Sequence, residues 1–241
     1  MDIEEIIPTQ EPILTNPLVE KRRFNALMLA GIALPILLYP FFVAVFLPAV
    51  TDFAWRIFLS RLIIWAVLGG MFLFARKGEM QNVLLWPEEH YKPSFYFKWI
   101  FLLYLLVLVV GATARIPFWL GLHENNEMMI KIAQITRKNP VLLVFIAATA
   151  GITEEFLFRG YIISRLALLI KNKHFVVITS AVLFALIHLG YKTYTELIFA
   201  FGVGIVLGYH YQKYRSLTTV IIVHFLIDVI ALSFGKVHWI V

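Results

Sequence analysis

The residues able to do chemistry concentrate in Gly151-Ile152-Thr153-Glu154-Glu155-Phe156-Leu157-Phe158-Arg159, where two carboxylates and a guanidinium interrupt an apolar run. An ionisable side chain inside a membrane-length segment costs roughly 2.5–3.5 kcal/mol on insertion scales, so such a cluster marks a functional site by default. Helical spacing separates the roles. Glu155 and Arg159 stand i and i+4 with the acid first, the favourable order for a pair on one helix face. Glu154 lies about 100° round the same helix and is the candidate for a free carboxylate that could serve as a general base. For Glu155 and Arg159 an architectural reading, a buried ion pair that only fixes helix packing, stands beside the functional one.

Two histidines interrupt later apolar stretches. His188 follows Phe184-Ala185-Leu186-Ile187, and His224 precedes Phe225-Leu226-Ile227-Asp228. His224 and Asp228 are i and i+4, so the carboxylate can reach the imidazole from the same face and fix its tautomer. A lone histidine in an apolar segment is usually a satisfied core residue. Histidines on two separate segments, together with Glu154, Glu155, Arg159 and Asp228, are harder to explain as packing. The set suits hydrolysis, with Glu154 and His188 deprotonating a water and His224 polarising a carbonyl or holding the oxyanion. It also matches catalytic zinc stoichiometry, with Glu154, His188 and His224 as ligands and Asp228 behind them. Both readings stay open.

The elements that must position these residues are membrane helices. Of 241 residues 61% are apolar, against about 45–50% in soluble proteins, and the mean hydropathy is +0.82. The expected fold is an all-α polytopic bundle of seven spans, at about 24–47, 55–75, 95–114, 140–170, 175–189, 197–211 and 217–234, with an eighth crossing within 115–139 as the alternative. Pro35 and Pro40 should kink the first span, and Pro140 should open the fourth. Residues 1–23, ending in Lys21-Arg22-Arg23, read as a cytosolic tail with a short amphipathic turn around Ile6, Ile7 and Ile13, and not as a cleavable signal. Residues 24–139 then form an N-terminal helical region with an interfacial segment, and 140–241 a core carrying the polar residues. Arg165 should emerge at the end of its helix, and the loop from Arg76 to Pro93, with Glu79 and Glu88-Glu89, should lie in water. Basic flanks such as Lys21-Arg22-Arg23, Arg76-Lys77 and Lys171 lean to one side of the membrane and place the N-terminus inside.

The net charge of +6 fits flanks meeting anionic lipid, and no nucleic-acid motif accompanies it. The absence of cysteine removes thiolate metal sites and a cysteine nucleophile. His123-Glu124-Asn125-Asn126-Glu127 departs from the zinc-protease pattern H-E-x-x-H at its last position and reads as a connector. Gly204 and Gly208 form a G-x-x-x-G that permits close helix approach.

The pattern E-E-x-x-x-R, F-x-x-x-H and H-x-x-x-D, in this order on successive apolar helices, resembles the CPBP family of intramembrane peptidases, also called CAAX-protease and bacteriocin-processing or Abi proteins. Here it is carried by Glu154, Glu155 and Arg159, by Phe184 and His188, and by His224 and Asp228, within about residues 140–234. The third motif often ends in Asn in that family, and Asp228 cannot donate through an amide. PrsW-like peptidases also begin with paired glutamates, but place Glu where His188 stands. The resemblance implies an endopeptidase acting on a membrane-associated or lipidated protein or peptide, with membrane lipid as its other partner and a prokaryotic plasma membrane as its place. Two other classes compete: a non-catalytic scaffold or bacteriocin-immunity protein, which would not need the full set of polar residues, and a proton-coupled transporter, which should show inverted repeats that this sequence lacks.

Overall fold

The computed structural model describes residues 17–234, and every regular element in that range is helical. The expected turn around Ile6, Ile7 and Ile13, and the last seven residues, lie outside it. In chain order the helices are α1 (Pro17–Phe46), α2 (Phe53–Lys77), α3 (Pro93–Thr113), the short α4 (Ile116–Trp119), α5 (Glu127–Lys138), α6 (Pro140–Glu155), α7 (Ser164–Leu169), α8 (Lys173–Ile187), α9 (Tyr194–Tyr214) and α10 (Leu217–Phe234). A π-helical stretch, Phe156–Ile163, joins α6 to α7, and a 3₁₀ turn, His188–Tyr191, follows α8.

Among the described residues six segments are long and apolar enough to cross a membrane: α1, α2, α3 through Trp119, α6 through α7, α8 with its 3₁₀ turn, and α10. The sixth span expected from sequence forms as α9, a helix of 21 residues that is polar towards both ends, with Glu196, His210, Gln212 and Lys213, and so stands outside these six. α9 packs between α8 and α3. Against α8, Gly204 and Gly208 face Ala181 and Val177 so closely that a Cβ on either glycine would come within 3 Å of them, the close approach that the small-residue spacing permits. No eighth crossing forms among the described residues: α5 has 12 residues, about 18 Å at 1.5 Å each, and packs along α6 and α10.

α1 begins at Pro17, so Lys21, Arg22 and Arg23 belong to its first turns and not to a separate tail. It runs through Pro35 and Pro40 as one helix. Asp52 caps α2 by accepting from Trp55 N at 2.9 Å. Asn139 caps α6 from Leu142 N at 3.0 Å, with Pro140 in the first turn where a missing N–H costs nothing.

The loop between α2 and α3 is less aqueous than its composition suggests. Glu79 is 4% exposed, and Arg165, expected to emerge from its helix, is fully buried against it. The Arg165 guanidinium grips the Glu79 carboxylate at 2.6 Å and also donates to the carbonyls of Asn82 and Val83. Tyr161 donates to the same carboxylate at 2.5 Å. Glu88, expected in water, accepts from Leu217 N at 2.6 Å and from Thr218 N at 3.1 Å, satisfying two of the orphan donors at the start of α10. The loop therefore ties α2 to the helices that carry the polar cluster.

Candidate active site

α6 and α10 meet where their backbones can approach. A Cβ on Gly151 would stand 3.1 Å from Phe225 N and 3.2 Å from Ile221 O, so glycine lets these helices close on one another. One turn further along α6 are Glu154 and Glu155, and across the seam on α10 is His224. Trp65 of α2 donates to Thr149 at 3.2 Å and holds the third wall.

Glu155 is fully buried and Arg159 is 1% exposed. Arg159 NH1 donates to Glu155 Oε1 at 2.9 Å, as the i, i+4 spacing predicts. Its NH2 reaches the Val203 carbonyl at 3.3 Å, and the guanidinium lies 4.6 Å from the centre of the Phe184 ring. Arg159 itself sits in the π-helical stretch, a form enriched at functional sites. Phe184 is the packing post of the cluster, with its ring centre 5.0 Å from Phe158, 4.7 Å from His188 and 6.1 Å from His224.

The orienting partner of His224 differs from the one that sequence spacing suggests. Nδ1 of His224 lies 2.7 Å from Glu155 Oε1. Because the same Oε1 already accepts from Arg159, it acts as the acceptor, so Nδ1 carries the proton and donates. Asp228, four residues on, reaches only within 3.8 Å of Nε2, outside hydrogen-bond range. Glu155 therefore fixes the imidazole, and Asp228 contributes charge at its far side. Intrahelical spacing could reveal only the second contact.

Glu154 is 8% exposed and accepts no hydrogen bond among the described residues. Its Oε2 lies 4.0 Å from His224 Nε2, and its Oε1 lies 3.9 Å from Arg61 NH1. His188 stands at the end of α8 and directs Nδ1 to the Phe184 carbonyl at 2.7 Å, which fixes Nδ1 as the protonated nitrogen. It shares an electrostatic neighbourhood with Glu154, Asp228 and Glu196 of α9. Glu196 was not singled out by sequence: Thr193-x-x-Glu196 reads as a capping box, and Thr193 does accept from Glu196 N at 3.2 Å. From the opposite side Glu124 accepts from Thr195 N at 2.7 Å, so the 120–126 connector is pinned to the same end of α9.

All six residues singled out by type and spacing, Glu154, Glu155, Arg159, His188, His224 and Asp228, thus gather around one seam, joined by Arg61 from α2. The zinc alternative rests on Glu154, His188 and His224. His188 and His224 both leave Nε2 for an outside partner, yet among the described residues no group of three His, Asp or Glu side chains is arranged to hold a metal ion.

Residues 136–230 match a family model described as Rce1-like, type II CAAX prenyl endopeptidase Rce1-like. No curated protein and no solved structure matches the chain. The matched stretch contains every residue of the three sequence motifs and leaves Arg61 outside it.

Proposed function

We propose, from a chain whose residues 136–230 match an Rce1-like type II CAAX prenyl endopeptidase model and lie within a bundle of apolar helices, that the protein hydrolyses a peptide bond in a membrane-associated, prenylated or otherwise lipid-bearing substrate. The observation that carries this reading is the state of Glu154: a secluded carboxylate with no hydrogen-bond donor among the described residues, 4 Å or less from a histidine and an arginine, beside a second glutamate whose own charge is already paired.

In the proposed reaction Glu154 takes a proton from a water molecule as the water oxygen attacks the scissile carbonyl carbon. The carbonyl π electrons move onto oxygen. Collapse of the tetrahedral adduct breaks the C–N bond, and Glu154 returns the proton to the departing amine. Glu155, held by Arg159, keeps His224 facing Glu154 and the substrate, and His188 lines the side towards Glu196. Residues 140–241 would then be the catalytic core and 24–139 the surrounding helices.

The test is cleavage of quenched prenylated and plain peptides by purified protein in detergent, with cut positions read by mass spectrometry. Wild type should cut, and Glu154→Gln should fall by at least about 100-fold, the lower range for a general base, with its thermal unfolding unchanged. A strong chelator should leave the wild type active. Loss with chelator that zinc restores would replace the side-chain mechanism with a metal one. No cleavage of any peptide by well-folded wild type would overturn the enzyme reading in favour of a binding protein.

A further inference from the structure

Arg61 is a charge that the motif residues do not explain. It sits about two turns into the apolar helix α2, its side chain 13% exposed, and its nearest acid partner is Glu154 at 3.9 Å, too far for a hydrogen bond. Its Nε is buried and has no hydrogen-bond partner among the described residues. Tyr39 of α1, Tyr191 after α8, Glu154 of α6 and Asp228 of α10 all face it electrostatically. A desolvated guanidinium is retained at such cost only where it meets charge, and the charge already present does not saturate its five donors.

The donors of the site can be counted by chemistry. His188 spends Nδ1–H on the Phe184 carbonyl, so as a neutral ring it offers a lone pair at Nε2 and no N–H, and the Nε2 of His224 faces the Glu154 and Asp228 carboxylates at 4.0 and 3.8 Å. An ionised Asp228 only accepts. Arg159 is sealed behind Glu155, Val203 and Phe184. Among the described residues Arg61 is the guanidinium that stands at the edge of Glu154 with N–H groups still unbonded.

We propose that Arg61 is a catalytic residue that donates to the oxyanion of the tetrahedral adduct, supplying from α2 the donor that Asp228 cannot. This inference rests on the hydrolytic reading above. Distance decides between this role and capture of a substrate's terminal carboxylate. An extended three-residue leaving peptide puts its carboxylate about 10 Å from the scissile carbonyl, at roughly 3.3–3.6 Å per residue, whereas Arg61 lies 3.9 Å from the base itself. The negative charge that forms within reach of both is the oxyanion, and donors aimed there act on the transition state more than on the ground state.

Arg61→Gln and Arg61→Lys test this with the same quenched peptide and with a peptide aldehyde, whose hydrate mimics the tetrahedral adduct. In Arg61→Gln kcat should fall about 100- to 1,000-fold, the range for losing one oxyanion donor, with KM unchanged. Arg61→Lys should recover part of it, and aldehyde affinity should fall in step with kcat/KM. A plateau kcat that stays at the wild-type level while only the acid limb of the pH–rate profile moves would overturn the proposal and leave Arg61 balancing the charge of Glu154. Unchanged aldehyde affinity would overturn it as well. Should Arg61→Gln not fold, Arg61→Lys decides, since it keeps the charge and loses the fork. Failure of the hydrolytic reading shows separately, as absence of cleavage by wild type.

Discussion

At the scale of residues, two adjacent glutamates with the same chemistry receive different tasks from their surroundings. Glu155 is committed, bonded to Arg159 at 2.9 Å and to His224 at 2.7 Å within a fully buried pocket, while Glu154 has no hydrogen-bond partner among the described residues. This division makes an ordering that can be measured. Glu155→Gln keeps an acceptor oxygen for both neighbours but removes the negative charge that pairs Arg159 and holds His224. It should cost about 10- to 100-fold in kcat/KM, the usual price of losing the group that orients a working histidine. Asp228→Asn alters a group 3.8 Å from the ring and should cost less. Steady-state kinetics of the two variants settles the order, and a larger loss in Asp228→Asn would return the orienting role to Asp228. The six motif residues were legible in the sequence because charge inside an apolar run is too costly to be incidental. The partner of His224 was not, because spacing along one helix says nothing of a neighbour brought across a seam.

At the scale of elements, the seam between α6 and α10 converts those residues into a site. Its width is set by Gly151, whose missing Cβ leaves room for the α10 backbone at Phe225 and Ile221. The obstacle to an added methyl group is backbone, which cannot rotate away as a flexible side chain would. Gly151→Ala should therefore push α10 outwards by a few tenths of an ångström or more and move His224 relative to Glu154. Since misplacement of reacting groups by 1 Å can cost about 100-fold, kcat should fall measurably while the protein still folds. A Gly151→Ala protein with wild-type kcat would show that the seam has slack. The helices were legible from hydropathy. The π-helical stretch at Phe156–Ile163 was not, since it has no apolar period of its own.

At the scale of the whole molecule, the matched segment is packed against helices outside it. α2 lends Arg61 to the site, and the loop after α2 fastens the N-terminal helices to the core through Glu79 and Arg165. The sequence offered no sign of this pair, because charge in a proline-rich loop is ordinarily solvated. Only the fold shows Glu79 at 4% exposure, meeting Arg165 at 2.6 Å and Tyr161 at 2.5 Å, with α1 closing over them at Gly31. Burying two charges is expensive, and their mutual attraction repays it only while both are present. Glu79→Leu alone should then destabilise by about 3–5 kcal/mol, because it strands a buried guanidinium and leaves the Tyr161 hydroxyl without its acceptor. Adding Arg165→Met removes the stranded charge, and thermal unfolding in detergent should return much of the way to wild type. If the two losses simply add, the pair is not coupled and the loop is held by its backbone contacts. If the double variant recovers stability but loses activity, the ion pair sets the distance between α2 and α6, and with it the reach of Arg61 to Glu154.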